Sequence, residues 1–241
     1  MFGEMYKRAA AAVVPEYATA ALAEQFAILA ETLAERGRTM NLTAITEPEA
    51  VVKLHIIDSL YAAHSLESVM PTLPNTCVAD VGSGAGFPAL PVAAAVSGAS
   101  VTAIDSAEKK CAYIRDCAAR MGLANVTAVS GRAEELSRGE FRDAFGAVTS
   151  RAVARLRVLL ELCMPLVAPG GVFIAMKGAA SDEEEHEAVN AAEKLGAVLE
   201  SRERYSLDGY ADERTILVYR KTSPTPDAYP RHFSKISKSP L

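Results

Sequence analysis

Residues 78–88 read VADVGSGAGFP: an apolar run ending beside a carboxylate, three glycines at alternate positions, and a proline suited to a first helical turn. Gly82, Gly84 and Gly86 let the backbone turn tightly and approach a ligand where a Cβ would collide. The dinucleotide fingerprint GxGxxG requires a third glycine at position 87, which is Phe87, so that template fails. Asp80, two residues before the first glycine, can hold an ammonium group or the loop itself, but would repel a pyrophosphate. Asp105 ends the next apolar run, a position from which an acid can accept both hydroxyls of a ribose. A helix N-cap is the competing role for Asp105, and the two are compatible.

Other polar residues fall where they can act together. His55, Asp58 and Ser59 share one helical face at i, i+3 and i+4 and can close over the loop, with Asn41 alongside from the preceding segment. A buried, hydrogen-bonded helix contact is the alternative for His55. Arg132, Arg151 and Lys177 each follow a strand-like run, at the edge where α/β proteins place their ligands. The cysteines, Cys77, Cys111, Cys117 and Cys163, have neither CxxC nor zinc-ligand spacing and are expected to be reduced core residues; no metal site is expected.

These residues need a scaffold. Leu22, Phe26, Leu29 and Leu33 step at helical intervals with Glu24, Glu31 and Glu35 between them, and a helix ending near Gly37 is predicted. A second helix is predicted from Pro48 to about Leu66, which makes residues 1–70 a helical extension. After the proline-bearing linker at 70–76, strands are predicted over 77–81, 100–104, 125–129, 144–149, 172–176, 197–203 and 215–220. Helices are expected from near Phe87, Ala107, Arg132, Val153 and Ser181. Repeated βα units imply a parallel sheet covered on both faces, and the short polar stretch SLDGYADE makes the last two strands an antiparallel hairpin. Residues 71–221 thus form the expected α/β domain. The acidic run after Ser181 reads as a helix start with Glu184 completing a capping box.

Charge is unevenly spread. The chain of 241 residues is net −5, half hydrophobic, and large enough for one sizeable core. Residues 220–241 hold five cations, Arg220, Lys221, Arg231, Lys235 and Lys238, against Asp227, a net of +4 on an otherwise acidic body. Four prolines make residues 222–241 an expected extended basic tail, with packing on the sheet edge through Tyr229 and Phe233 as the alternative. No apolar stretch approaches the roughly 20 residues of a membrane span, and Glu4 and Pro15 interrupt the only signal-like segment. A cytoplasmic location is expected.

The order strand, Asp80, glycine loop, helix, strand, Asp105 resembles the opening of class I methyltransferases, whose loop holds the methionyl part of S-adenosylmethionine. Four further segments, NLTAI at 41–45, HIIDS at 55–59, SGRAEE at 130–135 and TSRAVA at 149–154, together with AMKG at 175–178 and the YPR tail, resemble the glucose-inhibited division protein B family. The resemblance implies a Rossmann-like sheet with a terminal hairpin, and transfer of a methyl group from S-adenosylmethionine to guanine N7 in 16S ribosomal RNA. It assigns cofactor contacts to Gly82, Phe87, Ala133, Glu134 and Arg151, beside Asp80, Gly84 and Asp105. It makes 16S rRNA or the small subunit the partner, for which Asn41, His55, Arg132 and Lys177 are candidate contacts by position, with exposed loop charges as the alternative for Arg132 and Lys177. Ala85 stands where the family's loop usually has a proline.

The chemistry is consistent with that resemblance. Guanine N7 carries an in-plane lone pair and no proton, so its methylation needs orientation and desolvation rather than a general base. The chain has neither an Asn-Pro-Pro-Tyr type motif nor a cysteine following a proline. The same motifs also fit a class I methyltransferase acting on another RNA base or a small molecule, or a nonenzymatic RNA-binding module on a decayed methyltransferase fold.

Overall fold

In a computed structural model of the chain, residues 1–179 and 181–241 are described. Seven strands, β1 (Cys77–Val81), β2 (Ser100–Asp105), β3 (Val126–Ser130), β4 (Phe145–Arg151), β5 (Val167–Lys177), β6 (Ala197–Tyr205) and β7 (Arg214–Lys221), form one sheet ordered β3-β2-β1-β4-β5-β7-β6. The first five are parallel, and β7 inserts antiparallel between β5 and β6. Strand order reverses between β1 and β4. In such sheets the crevice at the carboxyl ends of the strands flanking that switch point receives ligands.

Alternation along the strands builds two cores. Val172, Ile174 and Met176 of β5 face one core, while Phe173 and Ala175 face the other. The first core is shared with α1 (Phe2–Val13), α2 (Ala20–Gly37), α4 (Asp58–Val69), α5 (Ala89–Ala95) and α6 (Glu108–Arg120). The N-terminal helices therefore lie in the same apolar layer as the helices of the βα units. Thr19 caps α2 by accepting from the Leu22 amide at 3.2 Å, and Tyr6 meets Phe26 edge-on at 4.8 Å. The helix expected from Pro48 to Leu66 runs as α3 (Pro48–Val51), a π-helical stretch (Val52–Ile57) and α4. A π turn shifts the side chains that follow it, and such turns concentrate at functional sites.

The second core is covered by α8 (Leu156–Cys163), α9 (Ser181–Leu195) and α10 (Phe233–Lys238), with α7 (Ala133–Leu136) at its rim. The C-terminal tail is not extended. Ile236 of α10 is fully buried, and Arg231 donates to both oxygens of Glu161, itself fully buried on α8. Arg138 and Arg142 bind the tail carbonyls of Pro230, Tyr229 and Thr225. A buried carboxylate needs a cation, and the tail supplies it.

Two smaller expectations also change. Among the described residues Glu184 does not complete the expected box with Ser181: the Ser181 amide donates to the Gly178 carbonyl at 3.1 Å, while the Glu184 carboxylate accepts from the Leu156 amide at 2.7 Å and pairs with Lys177 at 2.6 Å. Cys111, Cys117 and Cys163 are buried, whereas Cys77 is exposed at the start of β1. Desolvation holds the Cys163 thiol well above its ordinary pKa, as a core residue requires.

Candidate functional site

The glycine loop leaves β1 at the switch point and is held from beneath. The amides of Gly82 and Ser83 donate to the Ile104 carbonyl at 2.8 and 3.1 Å, and the Gly84 amide donates to Asp105 Oδ2 at 3.0 Å. Gly82 sits at φ +76°, and a Cβ there would lie 2.3 Å from Val153 Cγ2. Gly84, at φ +56°, has no atom nearer than 3.8 Å to where a Cβ would project, so the space above it is open. Only glycine accepts both conditions at low cost.

Asp80 lies behind the loop, its carboxylate bridging β4 and the start of α5. It is 1% exposed; Thr149 Oγ1 donates to its Oδ1 at 2.9 Å and the Ala89 amide to its Oδ2 at 3.3 Å. Burial pushes its pKa up to about 6 against those stabilising hydrogen bonds. Asp105 is 8% exposed at the end of β2 and also accepts from the Ala107 amide at 2.9 Å. One carboxylate thus tethers the loop and starts α6 while lining a cleft.

That cleft, of about 330 Å³, has Asp105, Gly131, Ala133 and Glu134 on one side, Gly82 and Val153 on another, and Phe233 of α10 beside Arg132. A second cavity of about 240 Å³ adjoins it, sharing Gly82, Lys110 and Ala152 and adding Gly84, Phe87, His55 and Arg151. A third, of about 420 Å³, lies beyond Arg151 and Ala152 and is lined by Asp58, Lys177, Glu184, Tyr205, Asp212 and Arg214. Ala152 borders all three and has φ +57°, a costly conformation for a residue with a side chain.

His55, in the π turn, stacks on Phe87 with ring centroids 4.7 Å apart. Arg151 donates to Asp58 Oδ2 at 2.8 Å, to the Leu54 carbonyl at 2.9 Å and to His55 Nδ1 at 3.1 Å, and its Cζ lies 5.5 Å from the Phe87 ring centre. A guanidinium only donates, so Nδ1 is the unprotonated nitrogen. Nε2 then carries the proton and donates to Thr43 Oγ1 at 2.8 Å. Desolvation, reinforced by Arg151, pushes the His55 pKa down to about 3, and the ring is neutral. Asp58, 1% exposed, also accepts from Tyr205 Oη at 2.8 Å and Arg214 at 3.1 Å.

All eight expected cofactor residues therefore gather around the glycine loop, with Asp80 behind it. The residues expected to meet RNA are dispersed. Asn41 is exposed on the segment before α3, and Arg132 is half exposed at the rim of the first cleft, its Cζ 5.2 Å from the Phe233 ring centre. Lys177 is 9% exposed, donating to the Ala154 carbonyl at 2.9 Å while paired with Glu184. Ala152, Lys110, Arg214, Tyr205 and Phe233 also line the clefts and were not singled out by sequence as site residues. Their signal is weak, since each is an ordinary residue until the topology gathers them. Among the described residues no group of three or more His, Cys, Asp or Glu side chains is placed to hold a metal ion, and no helix is long and apolar enough to cross a membrane.

Comparison with known proteins places this architecture. An O-methyltransferase from Bacillus cereus, solved with S-adenosylhomocysteine, superposes with a TM-score of 0.57 at 14% identity over 80% of this chain and 90% of its own. A geranyl diphosphate methyltransferase with S-adenosylmethionine gives 0.56 at 12% identity over 76% and 93%. At those identities the likeness establishes the class I methyltransferase fold. Proteins named ribosomal RNA small subunit methyltransferase G from Bacillus thuringiensis and Bacillus cytotoxicus are 42% identical over 219 residues, 90% of either chain. A family model described as rRNA small subunit methyltransferase G matches residues 22–208, and with these relatives it shows that the chain belongs to the GidB family.

Proposed function

We propose that the protein transfers the methyl group of S-adenosylmethionine to N7 of a guanine in 16S ribosomal RNA, acting in the cytoplasm on that RNA or on the small subunit. The observation that carries the reading is the chain of three clefts meeting at Ala152: two flank the glycine loop, and the third opens on the far side of Arg151. The residues present fit the cofactor. A buried acid stands at the end of β2, small residues Gly131 and Ala133 leave room beside it, and the space a side chain at Gly84 would fill is open.

Asp105 would accept the ribose hydroxyls, Ala133 and Glu134 would border the adenine, and Gly82, Gly84 and Phe87 would form the bed of the methionyl part. When bound, S-adenosylmethionine supplies an electrophilic methyl group on a sulfonium. The protein's own residues contribute position and dryness. Phe87 is fixed by the His55 ring and Arg151, and Arg151 is fixed by Asp58. With both ring nitrogens engaged, His55 acts by holding those neighbours rather than by touching RNA. The third cleft is lined by Arg151, Arg214, Asp212 and the Lys177–Glu184 pair, charged groups that would offer donors and acceptors to the edges of a purine. Arg132, exposed at the rim of the first cleft, and Asn41, exposed one residue before Leu42 of the second, would meet flanking nucleotides.

Mapping N7-methylguanosine in 16S rRNA from cells with and without the gene tests the reading. One guanine loses its methyl group in the deletion strain if it is right. An unchanged map, with cofactor binding intact, would reassign the substrate to another base or a small molecule.

A further inference from the structure

We propose that Phe233 of the C-terminal helix is a cofactor-binding residue, forming the outer apolar wall against which the adenine ring packs. The inference rests on the S-adenosylmethionine reading above and extends the site to the tail.

Three observations carry it. Phe233 lines the same cleft as Asp105, Ala133 and Glu134, although it lies 128 residues beyond Asp105 in the chain. Phe233 is 37% exposed, one of few large apolar residues among those described left so open, on a helix that is otherwise secured. Arg231, two residues earlier, is clamped to the buried Glu161, and Ile236, three residues later, is fully buried. A ring whose flanking residues are held on both sides and that is left facing a cleft beside the Arg132 guanidinium is positioned for a flat apolar partner, because the segment that carries it has little left to order on binding. Arg132 completes the lip, reaching toward Glu134 at 3.7 Å with its guanidinium over the Phe233 ring. Among the described residues the rest of the cleft lining is aliphatic, as at Ile104, Val153 and Leu162, or small and polar, so without Phe233 an adenine would be bounded by an aromatic on neither side.

The test is calorimetric titration of the full-length protein with S-adenosylhomocysteine. An aromatic contact contributes about 0.5 to 1.5 kcal/mol beyond simple burial, so Phe233→Ala is expected to weaken binding by about 2- to 12-fold. The melting temperature should be unchanged, because Arg231 and Ile236 still hold the helix. The chain contains no tryptophan, so Phe233→Trp introduces a single reporter at the wall. Its emission should change as S-adenosylhomocysteine is added, with the midpoint that calorimetry gives for the same variant. This second readout stands even if the alanine variant folds poorly. Wild-type affinity in Phe233→Ala, or an emission that ignores the ligand, would overturn the proposal. Wild-type protein that binds no S-adenosylhomocysteine would overturn the cofactor reading, and the wall with it.

Discussion

The guanidinium of Arg151, the last residue of β4, and the carboxylate of Asp58, the first residue of α4, form a 2.8 Å ion pair across 93 positions of sequence. Asp58 is almost wholly buried and also receives Arg214 and Tyr205, so a single carboxylate holds two guanidinium groups at one point. The N-terminal helices are thereby fastened to the centre of the candidate site. They hold Arg151, which in turn lies over Phe87.

Asp58→Asn keeps the shape and removes the charge. Stranding two cations in a partly buried site is expected to cost about 3 to 5 kcal/mol, by analogy with other buried pairs broken on one side. Urea unfolding measures this directly. A loss below about 1 kcal/mol, the range of a surface pair, would mean that Arg151 and Arg214 find water or other partners instead.

Asp105→Ala should weaken S-adenosylmethionine binding by about 1.5 to 3 kcal/mol, the worth of a hydrogen bond to a charged group. The same carboxylate also tethers the Gly84 and Ala107 amides, so Asp105→Asn, which retains one acceptor oxygen, is expected to lose less affinity than the alanine variant. Calorimetry on folded variants decides. Wild-type affinity in both would remove Asp105 from cofactor recognition and leave it a loop anchor.

His55 makes stability depend on pH with a definite sign. Its folded pKa is depressed to about 3 from 6.5, so the unfolded chain takes up the proton first as pH falls. The contribution is whole above about pH 6.5 and is lost as pH drops toward 3. Asp80, raised from 3.8 to about 6, works oppositely: its contribution is present below 3.8 and lost as pH rises to 6, so the two partly cancel within that window. His55→Gln isolates one of them. Between pH 7.5 and 5, wild type should lose about 2 kcal/mol relative to the variant, from roughly 1.5 pH units below the unfolded pKa. Parallel urea-stability curves for the two proteins would show that the folded histidine titrates normally.

The rate of methyl transfer at saturating cofactor should show no basic limb between about pH 6.5 and 8, because guanine N7 has no proton to surrender and His55 is already neutral. A rate rising tenfold per pH unit there would require a group that must first ionise. Guanine N7 would then be the wrong nucleophile.

The strands and the glycine loop were legible because each rests on local pattern. The apolar runs placed six of the seven strands to within two residues at either end, while β5 begins at Val167, five residues before the expected start, and the glycines with Asp105 located the cleft. Relations between distant segments were not legible. His55, Asp58 and Ser59 were seen to share a helical face, yet nothing in their spacing indicated Arg151 as the partner or a π turn in the helix. Glu184 fitted a capping box, and the pairing with Leu156 and Lys177 displaced it because α8 packs beside α9. Glu161 carried an overlooked signal. An acid within the apolar run of residues 156–163 needs a buried cation, and the only question was which segment supplied it.

The tail supplies it, which changes what its removal should do. Deleting residues 222–241 takes away Arg231, leaves Glu161 unpaired in an apolar layer and exposes the surface beneath Ile236. Loss of one partner from such a pair costs about 3 to 5 kcal/mol, so a large fall in melting temperature is expected rather than a selective loss of RNA affinity. The charge argument from sequence survives for Lys235 and Lys238, which remain exposed on α10 beside the first cleft. Lys235→Ala with Lys238→Ala is expected to leave the melting temperature unchanged and to flatten the salt dependence of RNA binding by up to about 0.7 log units per lost phosphate contact. Filter binding across a salt series measures the slope. If the double variant keeps the wild-type slope while the truncation melts early, the tail serves the fold and the wall of the cleft, and the RNA meets its cations elsewhere.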